Sequence, residues 1–173
     1  IYVGTGSDGI RSNVIVGKGV YKSLDAGKSW KFVGLKSAGQ IGAIKVHPKN
    51  PDIVYAAAIG QPFKQNTERG LFKSIDGGKN WKKILYISDK IGIVDMEFSP
   101  DDPNTIYAAS WEVNRKPWTI MSGSKDGGIY KSVDGGQSWT KLFKGLPKGN
   151  IGKIDLATSP ADTNRLYALI EAG

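Results

Sequence analysis

A twelve-residue segment that occurs three times limits what this chain can fold into more than any other feature. It reads Gly19-Val-Tyr-Lys-Ser-Leu-Asp-Ala-Gly-Lys-Ser-Trp30, then Gly70-Leu-Phe-Lys-Ser-Ile-Asp-Gly-Gly-Lys-Asn-Trp81, then Gly128-Ile-Tyr-Lys-Ser-Val-Asp-Gly-Gly-Gln-Ser-Trp139. The serines at 23, 74 and 132 set the copies 51 and 58 residues apart. A second element recurs between them. Pro48 and Tyr55, Pro100 and Tyr107, and Pro160 and Tyr167 each lie seven positions apart, and each tyrosine opens a small apolar run. Tyr2-Val3-Gly4 fits the same slot without its upstream half. Self-similarity at a near-fixed period means that one supersecondary unit is stacked several times.

Each unit holds four strand-like pieces. The first is 41–46, 91–98 or 151–157; the second 53–57, 106–109 or 166–170; the third 19–24, 71–75 or 129–133; the fourth 29–33, 80–85 or 138–143. Short strands at even spacing with turn residues between them, and no helical periodicity, argue for an all-β fold. Four antiparallel strands per repeat of about 50 residues is the pattern of a β-propeller blade. On this reading 1–35 supplies the last three strands of one blade, 41–85 and 91–143 are complete blades, and 151–170 supplies the first two strands of another. The expectation is a single partial, open propeller over 1–173, thirteen strands in all, against the roughly 4–8 blades that close a ring. The missing blades are expected from a longer parent chain or from another chain. Ile1-Tyr2-Val3 opens in mid-strand, which carries the same expectation of a longer parent.

Within the repeated segment the pattern Ser-x-Asp-x-Gly-x-(Ser/Asn)-Trp, called the box below, has the chemistry of a hairpin turn between the third and fourth strands. The carboxylates of Asp25, Asp76 and Asp134 can accept hydrogen bonds from turn amides. Gly27, Gly78 and Gly136 supply a positive φ. Trp30, Trp81 and Trp139 bury a large ring beside the turn, and Ser23, Ser74 and Ser132 can tie strand to loop.

These residues resemble the Asp-box, or bacterial neuraminidase repeat, family, whose motif recurs in sialidases, xyloglucan-type endoglucanases and the sortilin ectodomain. The usual Thr before the Trp is replaced by Ser29, Asn80 and Ser138. The resemblance spans essentially the whole chain, and the flanking sequence is most similar to large secreted bacterial sortilin-like, glycosyl-hydrolase-type repeat proteins. It implies an extracellular or periplasmic setting. It also implies that the box residues act structurally at an outer rim and that the loops between strands two and three lie on the opposite, ligand-binding face.

Those loops are 5–18, 60–69 and 110–127, and they hold Arg11, Arg69 and Arg115, three of only four arginines in the chain. Arginine forks suit carboxylates and sulfates; the alternative is that these arginines brace neighbouring blades or loops. The longest loop adds Trp111 and Trp118, whose faces could stack on a sugar or pack the loop onto its own blade. Glycoside hydrolysis would need two carboxylates about 5–9.5 Å apart. Asp95, Glu97 and Asp155 on the first strands and Glu112 in the loop are the weak candidates, with no catalytic pair recognisable. Lys45 takes the corresponding place in another unit, with the register open by two residues.

Composition excludes several classes. With no cysteine there is no disulfide framework, and the lone His47, beside Pro48 where other units have serine, makes a turn residue rather than a metal ligand. No metal and no cofactor are expected. Gly4-Thr-Gly-Ser-Asp-Gly9 matches a dinucleotide pattern, but no helix follows to hold a pyrophosphate. No apolar run is long enough for a membrane helix. The +8 charge invites nucleic acid, yet the lysines are dispersed and no binding signature is present, so none is expected. Lys28, Lys31, Lys79, Lys82, Lys83, Lys141 and Lys144 flank the fourth strands, where edge lysines discourage sheet-to-sheet aggregation. The reading that remains is a non-catalytic module binding a glycan or protein through the strand two–three loops; the alternative is part of a sialidase- or xyloglucanase-like glycoside hydrolase.

Overall fold

A computed structural model describes residues 1–11 and 13–173. The chain forms four antiparallel sheets, with no helix among the described residues. The first blade holds β1 (Tyr2–Gly4), β2 (Val20–Lys22) and β3 (Lys31–Gly34). The second runs in order through β4 (Gln40–Val46), β5 (Val54–Gly60), β6 (Gly70–Ser74) and β7 (Lys82–Leu85). The third holds β8 (Ile91–Phe98), β9 (Ile106–Lys116), β10 (Thr119–Ser122), β11 (Gly128–Ser132) and β12 (Thr140–Leu142). The last pairs β13 (Ile151–Ser159) with β14 (Asp162–Ala172). The architecture is a partial, open β-propeller.

The fourteenth strand, β10, departs from the sequence reading. Residues 110–127 were expected as a loop; instead β9 runs on to Lys116, turns through Pro117-Trp118 and returns as β10, pairing Lys116 with Thr119 and Val113 with Ser122. The reason is period-two burial. Trp111 and Val113 point into the core while Glu112 and Asn114 do not, so the strand pattern persists past the small apolar run.

The core lies between blades rather than within them. Ile41, Ala56, Ala58 and Phe72 are buried near the first interface, and Leu71, Ile93, Met96 and Ile106 near the second. Ile59, Val94, Trp111, Ile151, Ile154 and Leu156 form the third cluster. Small residues let the blades approach backbone to backbone. A Cβ on Gly42 would lie 2.2 Å from the Val94 carbonyl oxygen, and one on Gly92 would lie 2.2 Å from that of Ile59. The inner strands β4 and β8 each carry a bulge at the same place, between Ile41 and Ala43 and between Ile93 and Asp95. The pairings settle the register: Lys45 and Glu97 sit opposite Tyr55 and Tyr107, whereas Ala43, Asp95 and Asp155 sit opposite Ala57, Ala109 and Leu169.

The segment between β1 and β2 crosses from the first blade to the last. Ile10 is buried in the cluster with Trp111, Ile151 and Ile154, and Asp8 lies 3.6 Å from Lys153 on β13. The lysines named above border the free edges of β3, β7 and β12; Lys28, Lys31, Lys79, Lys82 and Lys144 are exposed.

Candidate functional site

The three boxes are near-copies in space. The hydroxyls of Ser23, Ser74 and Ser132 donate to Asp25, Asp76 and Asp134 at 2.8, 2.8 and 2.7 Å and accept from the amides of Gly27, Gly78 and Gly136 at 2.7, 2.8 and 2.9 Å. The amides of Ser29, Asn80 and Ser138 reach the same carboxylates at 2.9 Å. The side chains of Ser29, Asn80 and Ser138, which stand before each Trp, all donate to the second carboxylate oxygen, at 2.6, 2.7 and 2.5 Å. Bonds from the Ser29 hydroxyl and amide draw Asp25 down to about 2, and bonds from the Asn80 amide and side chain do the same for Asp76. Asp134 is lowered further, chiefly by Ser138. With both oxygens committed to their own turn, these carboxylates hold the hairpin.

The opposite face gathers the three strand two–three segments. The Arg115 Nε donates to the Arg11 carbonyl at 3.1 Å, its Nη1 donates to the Thr119 carbonyl at 2.9 Å, and its amide donates to the Pro62 carbonyl at 2.7 Å. The structure thus ties all three segments together around Arg115. Arg69 is only 2% exposed, and its guanidinium is spent on backbone: Nη1 donates to Ile59 at 2.7 Å, and Nη2 to Gln61 at 2.6 Å, with longer contacts to Lys64 and Val113. Burial lowers it to about 10 against the opposing pull of Glu112 and Asp89, so it stays charged at neutral pH. Among the described residues no hydrogen-bond partner reaches its buried Nε or the buried Asn66 Oδ1. Arg11 is exposed.

The two tryptophans diverge. Trp111 is buried and donates its indole N–H to the Ser122 hydroxyl at 2.9 Å, pinning β10 to β9. Trp118 stands at the hairpin tip with 79% of its surface exposed. Beneath the hairpin is a cleft of about 190 Å³ lined by Arg69, Glu112 and Asn114 together with Gln65, Lys90 and Met121. Asn114, Gln65, Lys90 and Met121 were not singled out from sequence, because no motif marks them and only the β9–β10 pairing and the fold bring them around the cleft.

The remaining carboxylates are scattered. Asp95 accepts from the Met96 amide at 2.8 Å and from the Leu156 amide of the next blade at 2.7 Å. Glu97 receives Lys45 of the previous blade at 2.6 Å. Asp155 is exposed, 3.6 Å from Lys153. Glu112 alone lines the cleft. Among the described residues no three metal-ligating side chains are grouped to hold an ion, and no helix is long and apolar enough to cross a membrane.

Antiparallel blades in an arc, with a bonded rim on one side and gathered loops on the other, define a β-propeller protein. Two solved structures share the fold at low identity. An ancestral GH74 enzyme superposes with a TM-score of 0.64 and 20% identity over 96% of this chain and 21% of its own. The GH74 enzyme of Niastella koreensis gives 0.63 and 19% over 95% and 22%. The family model Sortilin-Vps10, described as sortilin, neurotensin receptor 3, matches residues 18–169, and the chain belongs to that family. The vacuolar protein sorting/targeting protein 10 of Lodderomyces elongisporus is 30% identical over 112 residues, 64% of this chain. The chain spans only 6% of that relative's length.

Proposed function

We propose that this arc is part of a secreted, extracellular or periplasmic, non-catalytic module that binds a glycan or protein ligand on the face formed by its strand two–three segments. The observation that carries this reading is the build of that face: three segments are bonded around Arg115, Trp118 is exposed at the tip of the β9–β10 hairpin, and a cleft lined by Arg69 and Glu112 opens beside β9 and β10. In this reading Arg69 and Trp111 support the floor, while Arg11, Arg115 and Trp118 meet the ligand. Asp95 and Glu97, by contrast, are committed to neighbouring blades. A glycan array and a panel of peptides probed with the parent protein test it. Trp118→Ala is expected to weaken binding of the selected ligand at least tenfold. An exposed side chain contributes within about 0.5 kcal/mol to stability, so the urea midpoint should hold. Undiminished binding would remove Trp118 and this face from the reading.

Glu112 favours a second reading, a glycoside hydrolase, because it lines the cleft beside Arg69. Release of sugar products by the parent protein that disappears with Glu112→Gln would establish it over the first.

A further inference from the structure

The β9–β10 hairpin is gripped by one carboxylate of the last blade. The Trp111 indole donates to the Ser122 hydroxyl at 2.9 Å, and that hydroxyl donates in turn to Glu171 Oε2 on β14 at 2.6 Å. The Lys153 amide on β13 donates to the same oxygen at 3.0 Å. One row of hydrogen bonds therefore runs from β9 through β10 to the last blade, with every donor directed toward the carboxylate. A bond to an ionised acceptor is stronger than a neutral one, and donors in series polarise one another. The bond from Ser122, then that from the Lys153 amide, hold the Glu171 carboxyl below the usual range, so it is charged at neutral pH.

The backbone around this row is packed to receive it. A Cβ on Gly152 would lie 2.3 Å from Glu171 Oε2, and one on Gly123 would lie 2.9 Å from the Ile151 carbonyl oxygen. The chain just past β10 thus lies directly on the start of β13, where Ser124 and Ile151 exchange backbone bonds at 3.2 and 3.0 Å. Among the described residues the Ser122–Glu171 contact is the one side-chain bond between β10 and the last blade. The same stretch of β13 holds a second part of the face. Lys153 Nζ lies 3.6 Å from Asp8, and Ile10 is buried with Ile151 and Ile154. The last blade therefore supports both the hairpin and the β1–β2 segment, although Arg11, Arg115 and Trp118 all lie outside it.

Resting on the ligand-binding reading of that face, we propose that Glu171 is its positioning residue. By holding Ser122 it fixes β10, and so sets where Trp118 stands and where Met121 and Gly123 close the cleft of Arg69 and Glu112. Ser122 is the sensitive joint. Its hydroxyl has a single proton, which goes to Glu171 while an oxygen lone pair takes the Trp111 indole. Without the carboxylate that proton must turn elsewhere, and the hairpin loses its side-chain bond to the last blade. Glutamine at this position still offers a carbonyl oxygen to Ser122 and to the Lys153 amide, without the charge.

The test compares Glu171→Ala with Glu171→Gln in the parent protein. In Glu171→Ala, amide exchange over 119–122 is expected to speed about tenfold, the factor that follows from losing a hydrogen bond to a charged group. The fluorine resonance of Trp111 in fluorotryptophan-labelled protein, assigned by Trp111→Phe, should shift. The glycan-array or peptide-panel signal that Trp118→Ala removes should fall by about the same factor. Glu171→Gln should restore most of all three, a recovery that general loosening of the blade would not give. Exchange across β5 reports that each variant is folded. Unchanged exchange over 119–122 with an unmoved Trp111 resonance overturns the proposal. So does a binding signal that holds in Glu171→Ala while Trp118→Ala removes it. Where Trp118→Ala removes no signal, the reading of the face fails instead, and exchange over 119–122 still decides for or against Glu171 as the holder of the hairpin.

Discussion

The rim of boxes and the face of strand two–three segments are built from the same repeats by opposite rules. At the rim the three serine-to-carboxylate bonds agree within 0.1 Å, and even the Asn80 substitution preserves the bond of its neighbours' serines. On the opposite face the repeats share an arginine each and little else. Arg69 is buried under backbone carbonyls, Arg115 is half-buried and bonded across two segments, and Arg11 is exposed. A box always turns toward the same kind of neighbour, so its chemistry stays fixed. A strand two–three segment meets a different neighbour in each blade, so its residues are free to take different tasks.

The largest expected effect comes from the rim, and it separates filled from open positions. Trp81→Ala removes a packed ring and the bond to Val33, and is expected to cost about 3 kcal/mol in urea unfolding. Trp30, 43% exposed with no blade before it among the described residues, should cost well under half of that. Equal losses would mean that the ring stabilises its own turn rather than the interface. On the other face, Arg69→Ala leaves the Ile59 and Gln61 carbonyls without their donor, at about 1–3 kcal/mol for each buried group left unpaired. A fully stable variant would refute the bracing geometry.

A smaller effect concerns pH. Burial raises the Tyr55 phenol from 10.0 to about 12. The unfolded chain therefore releases this proton at lower pH than the folded one. The contribution of Tyr55 is complete below its unfolded value and is lost as pH rises toward 12. Tyr55→Phe should cost roughly 1 kcal/mol near neutrality, for the bond to Gly135, and should flatten the alkaline fall in the urea midpoint. An unaltered alkaline profile would place the titration elsewhere.

The all-β, partial and open propeller was legible in sequence because it rests on local chemistry that repeats. The β9–β10 hairpin was legible in principle: Trp111-Glu112-Val113-Asn114 alternates as a strand does, and Pro117-Trp118 makes a two-residue turn. Its length and its polar, glycine-containing end gave it the look of a loop. For Arg69 the sequence left bracing and ligand contact both open, and its partners were not legible, since they are carbonyls, which any sequence provides. The commitment of Asp95 to the Leu156 amide was hidden for the same reason: it depends on how closely β13 approaches β8.

The segment joining β1 to β2 has a kinetic consequence. Asp8 and Ile10 meet Lys153 and Ile154 across nearly the full length of the chain. Most other contacts link a blade to itself or to the next, and such stacks can grow outward from any nucleus. This tether closes a loop of nearly the whole chain, and its entropic cost is recovered only once the intervening blades are in place. It acts as a bowstring across the arc. Folding should end with its capture, and the first and last blades should then come apart together rather than fray one at a time.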